Sequence, residues 1–395
     1  MKIKHTLPTL TLLLTLLSTT ICCTNKNSAI IDMGVNNAAS HLALMVDSLD
    51  AKDKIMSPRT FQNGKIVFHN LQSWTSGFFP GSLWYLYEMT GDNQWKDRAT
   101  KYTEGMEHIK NFKGNHDIGF MIFCSFGNAL RLTEDSKYEN TINTAAETLM
   151  ERYNDKIGVI QSWNKSKKWD YPVIIDNMMN LELLFEAAKL TGNKKYSDAA
   201  ISHADVTMKN HYRPDNSCYH VIDYDVETGD VRKRNTHQGY ADESSWSRGQ
   251  AWGLYGYTLC YRYTKDEKYL IQAEKIADFI FNNPTLPSDL VPYWDYNVPN
   301  IENESRDVSA AAVTASALYE LSQYSSKGDA MIDNANSIIE TLTSDEYTAK
   351  VGENGHFLLL HSVGSKPHNA EYDAPLVYAD YYYLEALKRK RDLGI

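Results

Sequence analysis

The chain has 395 residues, 43% of them hydrophobic, with 26 Tyr, 12 Phe and 8 Trp and a formal net charge of −10. Such a chain can bury a sizeable core, as two domains or as one large repeat-built domain. The negative balance argues against nucleic acid or an anionic membrane surface as the main partner, but converging cationic groups can still receive a small anionic substrate. In chain order, the predicted elements begin with a targeting segment. Lys2, Lys4 and His5 precede LPTLTLLLTLLSTTICC, an apolar run too short for a spanning helix. Residues 1–23 therefore read as a signal peptide. Cys22 and Cys23 suit a lipoprotein signal and a lipid anchor, although Thr19 or Thr20 stands where such signals carry Leu. A simple cleaved signal fits equally. Both readings send the mature protein to the periplasm. Residues 24–37 are expected to be a tether, and a first helix to cover about 38–51.

Beyond a short extended stretch at NGKIVFHN, one helical phrase recurs: YLYEMTGDNQW to Trp95, ALRLTEDSKY to Tyr138, FEAAKLTGNKKY to Tyr196 and CYRYTKDEKY to Tyr269. A weaker copy, YELSQYSSKGDA, ends at Ala330. Each is an apolar helix, a polar turn and, in the four stronger copies, an aromatic residue opening a second helix. The spacing is too loose for a solenoid and fits a closed toroid of five or six helical hairpins. Long polar and aromatic loops lie between the copies and imply one decorated face. CYHVIDYDVETGDVRKRNTHQG alternates around a Thr-Gly-Asp turn and predicts a β-hairpin. Cys124, Cys218 and Cys260 lack metal-ligand spacing and read as buried free thiols.

Three constellations could carry chemistry. Asp117, in NHDIGF, and Asp176, in PVIIDN, each directly precede an apolar helix. Both suit helix N-capping; both would also face the central pit of a toroid, where two carboxyls equip acid–base work on a glycosidic bond. In THQGYADESSWSRGQAWGLYG, Arg248 offers a donor fork for a carboxylate or a structural ion pair. Trp246 and Trp252 offer stacking faces or core packing, and His220 and Gln238 lie just upstream. No Gly-rich phosphate loop, GxSxG, HExxH or CxxC motif is found, and no metal site is expected.

WTSGFFPGSLW, NHDIGF, IIDNMMNLELLF, DESSWSRGQAWGLYG and DAPLVYADYYYLEAL together resemble the unsaturated glucuronyl hydrolases of glycoside hydrolase family 88. The resemblance runs from about Gln72 to Leu387 and implies an all-α (α/α)6 barrel, with residues 38–395 forming a single catalytic domain. It implies hydration of the C4=C5 double bond of a 4,5-unsaturated uronic acid at the non-reducing end of lyase-generated glycosaminoglycan oligosaccharides. No cofactor or metal is implied, and no protein partner. By the resemblance, Asp176 is the general acid and base and Asp117 orients the ring and supports the protonation state of the pair. His220, Gln238, Arg248 and Trp252 bind substrate, with Arg248 and its neighbours holding the uronate. The loop HSVGSKPHNAEYD supplies Ser362, Ser365 and Lys366, which either meet a sulfate on the leaving sugar or form a flexible polar loop. The nearest rival is a related barrel acting on unsaturated galacturonyl-rhamnose from pectin. A non-catalytic glycan-binding lipoprotein would bind without turnover. An epimerase would want a His pair whose surroundings are not found here.

Overall fold

Each recurring phrase is a hairpin with its own turn chemistry. A computed structural model describes residues 10–395, with side chains from residue 28 onward. After α1 (Leu10–Asp50), the phrase joins α2 (Phe78–Thr90) to α3 (Asn93–Glu104), and α4 and α5 (Ile118–Ile122 and Asn128–Thr133, linked by a π-turn at Phe123–Gly127) to α6 (Lys137–Met150). It then joins α7 (Asn177–Thr191) to α8 (Lys194–His211) and α9 (Ser247–Thr264) to α10 (Glu267–Phe281). The first helix of each pair closes on a left-handed residue: Gly91 (φ 70°), Glu134 (53°), Gly192 (70°) or Lys265 (56°). Asp92, Asn193 and Asp266 then accept the backbone N–H of Gln94, Lys195 and Lys268, capping the second helix. The aromatic that follows is buried in every case: Trp95, Tyr138, Tyr196 and Tyr269. The three tyrosine hydroxyls donate to Glu104, Glu147 and Asp205 on the preceding outer helix, stitching the outer layer together.

The pattern continues through α11 (Val308–Leu321), α12 (Gly328–Leu342) and α13 (Val377–Asp392). The inner helices α2, α4–α5, α7, α9, α11 and α13 pack neighbour on neighbour until α13 returns to α2. The outer layer is α3, α6, α8, α10, α12 and α1. The chain is thus an (α/α)6 barrel. Every residue of α11 is buried, as a helix enclosed on all sides requires.

The tight turns lie at one end of the ring, and the long outer-to-inner connections at the other. These carry small antiparallel sheets: β1 (Ser57–Gln62) with β2 (Lys65–His69), β3 (Tyr153–Asn154) with β4 (Val159–Ile160), and β5 (Tyr171–Ile174) beside β6 (Val221–Tyr224) and β7 (Val231–Asn235). The last pair is β8 (Ser362–Ser365) with β9 (Ala370–Ala374). The expected hairpin is β6–β7, and the three cysteines are free and buried as expected.

The N-terminal boundary differs from expectation. The helix does not start near residue 38: α1 is continuous from Leu10 and includes residues 24–37, expected as a tether. Ile30, Val35, Ala38, Leu42, Met45 and Leu49 form one buried stripe, and α1 lies against α13. The polar run around Asn36 and Asn37 masks that stripe in the sequence. Of the expected signal peptide, residues 1–9 lie outside the described residues. Among the described residues, no helix is long and apolar enough to cross a membrane.

Candidate active site

Asp117 and Asp176 stand at the N-cap positions of α4 and α7, yet neither side chain makes a capping hydrogen bond. Asp307, at the same position of α11, does cap: it accepts the Ser309 N–H at 3.1 Å. The first two carboxyls are therefore free of the structural duty that their position suggests. They are 8% and 7% exposed. Burial pushes Asp117 up to about 7, against the opposing charges of Arg152 and Arg59. Burial likewise pushes Asp176 up to about 7; Arg248 opposes this and the Asp117 charge adds to it. Asp380 is also raised to about 7 by burial, but its oxygens accept the N–H groups of Leu358 and Leu359 at 3.0 and 2.9 Å. Satisfied in this way, Asp380 holds a loop. Asp176 Oδ2 has no donor in hydrogen-bonding geometry.

His220 faces that oxygen. Its Nδ1 accepts the backbone N–H groups of His237 and Gln238, each at 3.1 Å, so the proton of the neutral ring is on Nε2. Nε2 lies 3.6 Å from Asp176 Oδ2. Burial keeps the ring neutral by lowering its pKa well below the usual range, with the charges of His237 and Arg248 adding to the effect. Trp246 packs against His220 (ring centroids 4.6 Å apart) and under the Arg248 guanidinium (4.4 Å), and is itself 2% exposed. It braces its neighbours and offers no open stacking face.

Of the two roles expected for Arg248, the structure shows the structural ion pair. Nη1 donates to Asp307 Oδ2 at 2.6 Å and to the Val363 carbonyl at 2.5 Å, and Nη2 donates to the Gly364 carbonyl at 2.6 Å. The fork grips the Asp307 carboxylate and strand β8 together, and the buried Nε is unpartnered. Gln238 Nε2 donates to the same Gly364 carbonyl at 3.1 Å. Trp252 is fully buried between Phe120 and Tyr382, with its Nε1–H unpartnered. Asp176 Oδ2, His220 Nε2, Trp252 Nε1, Arg248 Nε and the Tyr378 hydroxyl are thus unsatisfied buried polar atoms of one neighbourhood, and a polar ligand would satisfy them.

Residues 50–383 match the model of Glycosyl Hydrolase Family 88. The chain belongs to that family. An unsaturated glucuronyl hydrolase of Formosa agariphila is 49% identical over 340 residues, 85% of each chain. An unsaturated chondroitin disaccharide hydrolase of Streptococcus agalactiae is 36% identical over 371 residues, 91% of each. A crystal structure of an unsaturated glucuronyl hydrolase specific for heparin superposes with a TM-score of 0.88 at 47% identity, covering 92% of this chain and 98% of the other.

The rim of this family 88 glycosidase contains residues that sequence reasoning missed. Arg59 on β1 makes a bidentate pair with Glu371 on β9 (2.5 and 2.6 Å) and lies over the Trp74 ring at 5.2 Å. Their separation in the chain leaves no local signal. Trp163, Trp169, His237 and His368 form an aromatic wall, with ring centroids 4.2 to 5.5 Å apart along it. Two tryptophans in WNKSKKW were the available hint. Asp307 carried the same signature as Asp117 and Asp176, an acid directly before an inner helix. Ser362, Ser365 and Lys366 do not converge. Ser362 is fully buried, Ser365 hydrogen-bonds His368 Nδ1 at 2.7 Å, and Lys366 is paired with Glu304.

Proposed function

We propose that the pit removes a 4,5-unsaturated uronic acid from the non-reducing end of glycosaminoglycan-derived disaccharides by hydrating the C4=C5 bond. The observation that carries the reading is the pair of buried, non-capping carboxyls, both raised to about 7, with a neutral imidazole N–H facing one of them. A carboxyl near 7 can both give and take a proton at neutral pH.

Asp176 protonates C4, and positive charge develops at C5 and the ring oxygen. The Asp176 carboxylate then takes a proton from a water as that water adds to C5. The resulting hemiketal collapses to a C5 ketone, the bond from C5 to the ring oxygen breaks, and the hemiacetal at C1 releases the neighbouring sugar. Asp117 stays beside Asp176, and its charge keeps the Asp176 proton in place until transfer. His220 Nε2–H and Trp252 Nε1–H orient the acid and the ring. Arg248 acts through the strand it holds. The names of the relatives favour heparin- or chondroitin-type disaccharides over pectin fragments. The N-terminal segment supports a periplasmic protein, lipid-anchored if Cys22 or Cys23 is modified.

The test follows the ultraviolet absorbance of the conjugated uronate across lyase-generated disaccharides. Wild type is expected to bleach the glycosaminoglycan products, with Asp176→Asn at least 1,000-fold slower (a loss of about 4 kcal/mol of transition-state stabilisation). Bleaching of the pectin-derived disaccharide alone, or equal rates in the variant, would refute the reading.

A further inference from the structure

Beside the other carboxyl, Asp117, stands a second imidazole whose tautomer is fixed from outside the pit. Asn180, on α7, accepts the Phe120 backbone N–H with Oδ1 at 2.9 Å. That bond decides which end of the amide is oxygen, so its NH₂ group is the one lying 3.1 Å from His116 Nδ1. An amide NH₂ only donates. His116 Nδ1 is therefore an acceptor, and the ring proton is on Nε2, 3.3 Å from Asp117 Oδ1 but not aligned on it as a hydrogen bond, with the unpartnered Asn177 side-chain oxygen as its other neighbour. His116 is fully buried, and burial brings its pKa down to about 3 against an opposing Asn177 contact, so the ring is uncharged at neutral pH.

We infer that Asn180 is a positioning residue for the reaction: acting through His116, it aims an N–H at Asp117 and favours the anionic form of that carboxyl. The inference rests on the proposed acid–base pair and adds to it the device that decides which member keeps the proton. A donor held against Asp117 leaves the shared proton on Asp176, where protonation of C4 needs it. The other charged groups facing Asp117 are Arg59 from β1, Arg152 from the loop after α6 and Asp176 at the head of α7. Among the described residues, the Asn180 side chain hydrogen-bonds only Phe120 and His116, so its removal changes the tautomer while leaving those charged groups in place. Gly119 belongs to the device. A Cβ there would lie 2.3 Å from Asn180 Oδ1 and 2.6 Å from its Cβ, so only glycine lets α7 bring the amide to the Phe120 N–H.

The experiment uses full-length enzyme with ¹⁵N-labelled histidine, together with the pH profile of kcat on the best unsaturated disaccharide. In wild type, His116 should show a protonated Nε2 and an unprotonated Nδ1 from pH 5 to 8. Asn180→Leu should mix the two tautomers, raise the apparent pKa that controls kcat by about one unit and lower kcat about tenfold, with KM nearly unchanged. Gly119→Ala, which displaces the amide without removing it, should move both readouts the same way. A wild-type His116 protonated on Nδ1, or an Asn180→Leu enzyme with an unchanged tautomer and pH profile, would overturn the inference. If Asn180→Leu does not fold, the wild-type spectrum alone decides. Absence of turnover in wild type would instead refute the proposed reaction and leave the tautomer measurement standing.

Discussion

An aspartic acid in an unfolded chain titrates near 4, whereas Asp117 and Asp176 are raised to about 7 by burial. The fold thus favours their protonated forms. Its advantage is full below about pH 4, where both states are protonated, and is lost as pH rises to about 7, because the unfolded chain ionises first. A three-unit shift corresponds to about 4 kcal/mol for an isolated carboxyl, an upper bound where two carboxyls interact. Asp176→Asn removes that titration. Its stability relative to wild type should grow between pH 4 and 7 and then level off, as read from denaturant midpoints at pH 5, 7 and 8.5. A gap independent of pH would contradict the burial argument. The sequence exposed both acids, because an Asp before an apolar helix is visible in one dimension. It did not show that Arg248 spends its fork on Val363 and Gly364, since backbone carbonyls leave no trace in composition or spacing.

The hairpins were the most legible elements. Their turn chemistry is local: four copies repeat the left-handed closure and the buried ring, and three of them the capping side chain. The repeat makes one consequence testable at a distance from the pit. Asn193 accepts the Lys195 N–H at 3.1 Å and serves only to start α8. Asn193→Ala should therefore cost about 1 kcal/mol of stability while leaving kcat and KM unchanged below the melting transition. Thermal unfolding and a steady-state assay on the same preparation would check both halves. The connections were less legible. β3 and β4 are two residues each, too short for any periodicity, and α1 was shortened in the sequence reading because Asn36 and Asn37 interrupt its apolar stripe. Strand β8 with Ser362, Ser365 and Lys366 was located correctly as a loop region. Its side chains point elsewhere, because Glu304, distant in the chain, pairs with Lys366, and His368 of the same loop takes the Ser365 hydroxyl.

At the scale of the molecule, closing a ring of inner helices leaves two ends with opposite needs. One end holds the pit. The other opens into a cavity of about 750 Å³ that runs along the inner helices from Gly119, Phe120 and Met179 to Lys388 and Asp392. Arg262 on α9 grips Glu320 on α11 through Nε and Nη2 (2.6 and 2.9 Å) and reaches Glu182 on α7. Arg389 on α13 meets the same Glu320 at 3.0 Å. Glu385 accepts hydroxyls from Tyr85 on α2, Tyr255 on α9 and Ser316 on α11. One network therefore ties α2, α7, α9, α11 and α13 at the end away from the chemistry. Burial acts to raise the Glu320 pKa, but Arg262 and Arg389 outweigh it and hold the carboxyl down at about 2. Glu320→Gln would leave two half-buried guanidinium groups short of an anion, a loss of about 2–3 kcal/mol. The loss should be present above pH 4.5 and shrink as pH falls toward 2, because the wild-type carboxylate is itself protonated there. Asp307 and Glu320 mark the two ends of α11, thirteen residues apart and so separated by roughly 20 Å along the helix axis. The variant should accordingly melt lower yet keep its kcat when assayed well below its transition. A fall in kcat without a fall in stability would mean that the two ends of the ring are coupled, contrary to an architecture in which long connections build the site and tight turns close the barrel.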